Sequence, residues 1–130
     1  MKDRGGFVYI VDFSTGIIKI GSSHRPKKRL SQIIRFQPAL VAQMYISARM
    51  PNHRMAERAA IEWLSCACAN SFGREWFRAS LQEAIDVVNR ACLNYGWADR
   101  ESAAKQHRPI ILLARPELVD VMREIREGQT

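Results

Sequence analysis

Long apolar runs are missing from this chain. The longest, Ile110-Ile111-Leu112-Leu113-Ala114, falls far short of the ~20 residues a membrane helix requires. Met1-Lys2-Asp3-Arg4 leads into no apolar signal segment. Both absences argue against a helical anchor, and a cytoplasmic protein with no membrane partner is the expectation. Cysteine is scarce and odd in number, with Cys66, Cys68 and Cys92 showing no framework spacing, which argues against a disulfide scaffold. On a helix, residues two apart point to different faces, so Cys66 and Cys68 would share a zinc ion poorly. All three are expected to be reduced core thiols. No internal repeat or low-complexity tract is present.

Acidic side chains are also sparse at the start. Residues 1–35 carry eight basic groups against two acidic, residues 36–99 six against six, and residues 100–130 six against five. The net charge of +7 therefore belongs almost wholly to the first third. A localised basic face selects an anionic polymer, and DNA is the expected partner. With 130 residues, 47% of them hydrophobic, one domain with a tail is expected. The division expected is a domain over 1–95 and a linker plus amphipathic helix over 96–130.

Local pattern places the elements. Gly6 to Phe13 is rich in β-branched and aromatic residues and reads as a strand. Ser14-Thr15-Gly16 makes a turn, and Ile17 to Gly21 returns as the second strand. Alternation puts Tyr9 and Val11 on one face and Val8 and Ile10 on the other. Pro26 suits the first position of a helix to about Arg35, with Leu30, Ile33 and Ile34 as its apolar stripe. Leu40 to Ala48 reads as a third strand, and Arg54 to Cys68 as a helix capped by Asn52 or His53. Residues 70–78 read as irregular or a short strand, with Trp76 and Phe77 as core. Ser80-Leu81-Gln82-Glu83 fits a capping box, with Ala84, Ile85, Val88 and Ala91 facing inward on the helix that follows. Residues 98–109 read as a polar linker or frayed helix. Arg115-Pro116-Glu117 opens a last amphipathic helix whose Leu118, Met122 and Ile125 could dock on the core or form a homodimer. The fold class is thus α/β in the α+β sense: a small three-stranded antiparallel sheet flanked by helices, with a C-terminal helix.

The hairpin and the helix after it deliver a tyrosine, a lysine and an arginine: Tyr9 in Val8-Tyr9-Ile10, Lys19 in Lys19-Ile20-Gly21, and Arg29 in Lys28-Arg29-Leu30. This ordered set resembles the signature of the GIY-YIG nuclease superfamily. The similarity is to the branch with KIG as second motif and Glu-Trp-Phe at the core's end, here Glu75-Trp76-Phe77. It spans about residues 5–92. The resemblance implies a metal-dependent endonuclease that hydrolyses DNA phosphodiesters, with Glu57 as the metal-binding carboxylate for Mg2+ or Mn2+. Lys19 stands where many members carry a second tyrosine. The alternative is therefore a weakly active or inactive DNA-binding module on the same scaffold. The family's late asparagine has Asn89 as its nearest candidate.

The chemistry suits these groups. Hydrolysis must deprotonate water, offset charge on the transition state and protonate the leaving oxygen, and one divalent cation assists each task. Magnesium takes one or two carboxylates with waters and substrate oxygens, so a single Glu57 suffices. Arg29 offers a permanently charged fork to phosphate oxygens. Tyr9 can act as base or orient the water if its pKa falls well below ~10, which a cation at Lys19 would favour. His24, in the loop before the helix, can assist proton transfer. Arg25, Lys27, Lys28 and Arg35 are expected to grip the phosphate backbone, which carries affinity rather than sequence choice. The catalytic expectation requires Tyr9, Lys19, Arg29 and Glu57 to face one concavity.

Overall fold

The computed structural model describes residues 5–13, 16–36, 42–67, 71–72 and 76–113. The hairpin forms as its sequence dictates: β1 (Phe7–Phe13) pairs antiparallel with β2 (Ile17–Ser23), with Tyr9 opposite Gly21 and Val11 opposite Lys19. Gly16 supplies the positive φ of the connection, 85°. Helix α1 (Pro26–Phe36) starts at proline, whose missing N–H is not needed there. The third strand, β3 (Gln43–Ile46), is shorter than expected and pairs with β1. Helix α2 runs His53–Ala67, and a two-residue β4 (Ser71–Phe72) pairs with β5 (Trp76–Arg78). Helix α3 (Leu81–Ala91) opens on the Ser80 cap, whose hydroxyl accepts the Glu83 N–H at 3.1 Å.

The α+β class is as expected, but the sheet is larger. Among the described residues it has six strands in the order β4-β5-β2-β1-β3-β6, all neighbouring pairs antiparallel. The added edge strand β6 (Ile110–Leu113) pairs with β3, Ile46 lying opposite Ile110. Of the two readings of 98–109, linker or frayed helix, the helical one holds. Asp99 caps a helix, α4 (Arg100–Gln106), by accepting the Ser102 N–H at 2.7 Å, and that bond holds its carboxyl below the ordinary range. Between α3 and α4 the chain makes a π-helical turn, Cys92–Gly96. The amphipathic helix expected from Arg115 lies outside the described residues.

Both faces of the sheet are covered. Val8, Ile10, Ile18, Ile20 and Phe77 pack against Ala56, Ala60 and Leu64 of α2 and Ala84 and Val88 of α3. On the opposite face, Tyr9, Val11, Phe13, Met44 and Ile46 pack against Leu30 and Ile33 of α1. The α1 stripe is thus as read for Leu30 and Ile33; the Ile34 side chain lies outside the described residues. Cys92 is buried as expected, which pushes its thiol up to about 12, but Cys66 is exposed on α2 rather than in the core. Cys68 lies outside the described residues.

Asn89 ties the later elements to the sheet. Its side-chain oxygen accepts from the buried Tyr45 hydroxyl of β3 and lies 3.0 Å from His107 Nε2, which as an N–H donates to the same oxygen. Burial, with Cys92 nearby, pushes the Tyr45 phenol well above its usual range, so it stays a donor. Replacing the amide strands both donors: Asn89→Leu is expected to cost about 1–3 kcal/mol of unfolding free energy by urea titration. Burial, and then Arg108, also hold the His107 pKa below its ordinary 6.5. The unfolded chain then takes up the proton first as pH falls. Stability is complete above about 6.5 and declines below it. Urea midpoints between pH 8 and pH 5 should fall, and fall less in His107→Gln.

Candidate functional site

The open edge of the hairpin organises the site. Strand β5 covers β2 only from Ile17 to Lys19, so among the described residues no strand pairs the outer edge from Ile20 to Ser23. Tyr9 lies opposite Gly21 and is 2% exposed, its ring crossing the glycine. A methyl group at position 21 would overlap the phenol oxygen and the ring carbon that bears it. One residue further along the strand, Ser22 points to the other face, and its hydroxyl donates to Glu57 Oε1 of α2 at 3.0 Å. Phenol and carboxylate thus come from opposite faces of the sheet. They meet β2 at consecutive residues, Gly21 and Ser22.

His24 follows directly. Its Nδ1 lies 2.6 Å from the Gly5 carbonyl oxygen, which can only accept, so Nδ1 carries the proton. In the neutral ring Nε2 then holds the lone pair, the form suited to a base or a metal ligand. Edge-on to this ring, at 5.0 Å between centroids, stands His53. His53 begins α2, is 2% exposed, and sits one helical turn before Glu57. The room it occupies is left by Gly6, where a methyl group would come within 2.8 Å of the imidazole. Gly5 has φ 77°, a conformation that suits glycine and aims its carbonyl at His24. The edge therefore gathers Ser22, His24, His53 and Glu57 beside Tyr9.

Sequence reasoning takes His53 only as a candidate helix cap and passes over Ser22 and the Gly5-Gly6 pair. The available signals were the four-residue spacing of His53 and Glu57, and two adjacent glycines heading a strand.

The other expected groups have partners of their own. Lys19 is half-buried and holds its ammonium over the Trp76 ring, 5.4 Å from the centroid. Trp76 is not core as expected: it is 36% exposed and stacks on Phe13 at 5.2 Å, while Phe77 is fully buried. Arg29 is exposed on α1, and its Nη1 donates to Gln32 Oε1 at 3.2 Å. Arg25, Lys27 and Lys28 are exposed at the start of α1. The Arg35 side chain and Glu75 lie outside the described residues. Asn89 belongs to the Tyr45 and His107 network described above rather than to this edge.

Glu57 is half-buried and accepts from a neutral hydroxyl, an arrangement that keeps carboxylate oxygens directed at the edge. Among the described residues, no group of three or more His, Cys, Asp and Glu side chains could hold a metal ion. An all-protein metal cage is therefore absent among them. A site with one carboxylate completed by water and phosphate oxygens, the mode magnesium favours, fits what is there.

If the bare backbone at position 21 seats the phenol, filling it must displace Tyr9. Gly21→Ala is expected to lower the unfolding free energy by about 1–3 kcal/mol in urea titrations, the cost of overpacking.

Among the described residues, no helix is long and apolar enough to cross a membrane. Comparison with curated proteins and with solved structures returned no match. Residues 6–92 match the model of a DNA-related family, from the first strand of the hairpin to the end of α3, and the chain belongs to the T5orf172 domain family.

Proposed function

We propose that the protein is a metal-dependent endonuclease of the GIY-YIG type, hydrolysing DNA phosphodiester bonds at the open edge of β2. The observation that carries this reading is the Ser22–Glu57 hydrogen bond of 3.0 Å beside the residue that Tyr9 covers. It seats an oriented carboxylate and a phenol against neighbouring residues of one strand.

Each residue has a task there. Glu57 holds Mg2+ or Mn2+, which when bound offsets phosphate charge and eases loss of a proton from water. His24 accepts that proton at Nε2, since Nδ1 is committed to the Gly5 carbonyl. Tyr9 orients the attacking water through its hydroxyl. Arg29, exposed on α1, swings its guanidinium from Gln32 to the non-bridging oxygens. Lys19 adds positive field on the Tyr9 face of the sheet. Arg25, Lys27, Lys28 and Arg35 hold the flanking backbone.

The alternative, a DNA-binding module without turnover, draws support from Lys19 itself, whose ammonium is engaged by Trp76. The two readings separate in one experiment. Purified protein is incubated with single-stranded, duplex and branched DNA in Mg2+ or Mn2+. Cleavage is expected, reduced about 10²- to 10³-fold in Glu57→Gln and in Arg29→Ala. Glu57→Gln should bind DNA in EDTA as wild type does. Intact DNA across all metals and pH values, with salt-sensitive binding retained, would establish the binding module instead.

A further inference from the structure

Two arginines of α2 stand where helix chemistry does not favour them. The first turn of α2 holds no acidic residue, although the dipole favours one there, and carries Arg54 instead. Arg58 follows at a spacing of four, which sets two like charges side by side on one face. Both side chains are exposed, and among the described residues neither guanidinium has a hydrogen bond or a carboxylate partner. Helix electrostatics therefore disfavour both. Arg90 is the contrast: it is exposed in the last turn of α3, where a cation suits its helix.

Their place in the fold is more informative than their charge. Glu57 lies between them in sequence, and the Ser22 hydroxyl donates to its Oε1 at 3.0 Å, which pins this part of α2 to β2. Arg54 and Glu57, three residues apart, share a helix face, and Arg58 is the next residue on. The arginines thus flank the carboxylate that β2 holds. The exposed cations of α1, Lys27, Lys28 and Arg29, stand on the opposite face of the sheet. Helix α1 packs on the Tyr9 and Val11 side, whereas α2 packs on the Val8 and Ile10 side. Among the described residues, the unpaired edge of β2 from Ile20 to Ser23 therefore has cations on both sides.

We propose that Arg54 and Arg58 bind backbone phosphates of DNA, so that a duplex laid across the β2 edge is held from both faces of the sheet, by α1 on one side and by α2 on the other. The proposal rests on the DNA reading above and adds two binding residues to the same site. Four residues of helix rise about 6 Å, and the charges of one DNA strand recur every ~3.4 Å of axis, so the pair can meet neighbouring phosphates. A guanidinium fork suits phosphate oxygens. A duplex, with a persistence length of about 150 base pairs, reaches both helices without bending. Contacts of this kind supply affinity and orientation rather than sequence choice.

The test measures binding in EDTA, apart from cleavage, by fluorescence anisotropy of a labelled duplex over a series of salt concentrations. The slope of log affinity against log salt counts the phosphates neutralised. Arg54→Ala and Arg58→Ala should each make it shallower by about 0.9, and the double variant by about 1.8. Arg54→Lys and Arg58→Lys keep the charge and should keep the wild-type slope. Arg90→Ala removes one exposed cation elsewhere and should also keep it. Relief of the like-charge pair should leave the urea midpoint of either alanine variant no lower than that of wild type.

Wild-type slopes in both alanine variants would overturn the proposal. So would an equal loss of slope in Arg90→Ala, which would mark a response to net charge alone. Lysine variants that lose as much slope as the alanine variants would assign the arginines to the fold and overturn it too. Shallower slopes in the alanine variants alone, without cleavage in any metal, leave this proposal standing and remove the nuclease reading. Cleavage by wild type with unchanged slopes in both alanine variants does the reverse.

Discussion

Because residue 21 has no side chain, the Tyr9 ring can lie directly over β2 at that position. Any larger residue would push the ring away or split the hairpin, since the two residues face each other in the ladder. Among the described residues the same edge is unpaired beyond Lys19, where β5 ends. A close approach and a short neighbouring strand together bring groups from both faces of a covered sheet to adjacent residues of β2. Buried sheet faces are poor places for polar chemistry, because polar groups there lose water without gaining a substrate. An unpaired edge has neither handicap. It keeps backbone and side-chain polar groups accessible while the two cores hold Tyr9 and α2 in position.

The edge is held from the chain's start as well. The Gly6 N–H donates to the Met50 carbonyl at 3.0 Å and the Met50 N–H to the Gly6 carbonyl at 2.8 Å, fixing the segment that enters β1 to the one that leads into α2. Gly5 then presents its carbonyl to His24, and Gly6 leaves the space that His53 fills. Two residues without side chains thus set the tautomer of one imidazole and the position of another. Tautomer control of this kind is inexpensive, one backbone acceptor sufficing, yet it decides which nitrogen can take a proton.

The parts of the fold that follow from local chemistry could be read directly. The hairpin shows in its β-branched run and Gly16, α1 in Pro26 and its stripe, α3 in the Ser80 cap. The extra strands could not. Ile110 to Leu113 is four apolar residues after a polar stretch, and periodicity cannot distinguish strand from buried helix over such a length. Its pairing with β3 spans more than sixty positions of sequence, a relation no local pattern carries. Residues 98–109 read equally as linker or frayed helix because few of them are apolar. The helix there depends instead on the Asp99 cap and one buried alanine, Ala103. For the site, residue types were legible and their faces were only half so. Alternation assigned Tyr9 correctly to the Val11 face, but nothing in α2 announced that Glu57 would lie on the other side. Trp76 was misplaced for a related reason: it lies opposite Lys19 near the end of the sheet, where an aromatic ring serves a cation better than it fills a core.

The end of β2 and the turn into α1, Ser22 to Arg25, bring several of these contacts together. Ser22 binds Glu57, His24 turns to His53 and Gly5, and the Arg25 N–H donates to Ser23 Oγ at 3.0 Å. Neighbouring residues of one short connection therefore reach α2, the entry to β1 and the start of α1. Charge follows the same junction. Arg25, Lys27 and Lys28 come directly after it in sequence, whereas Arg54 and Arg58 come to it on α2, which the Ser22–Glu57 bond ties to the strand. The cationic surface is thus a product of the tertiary fold, although most of the chain's net charge lies in its first third.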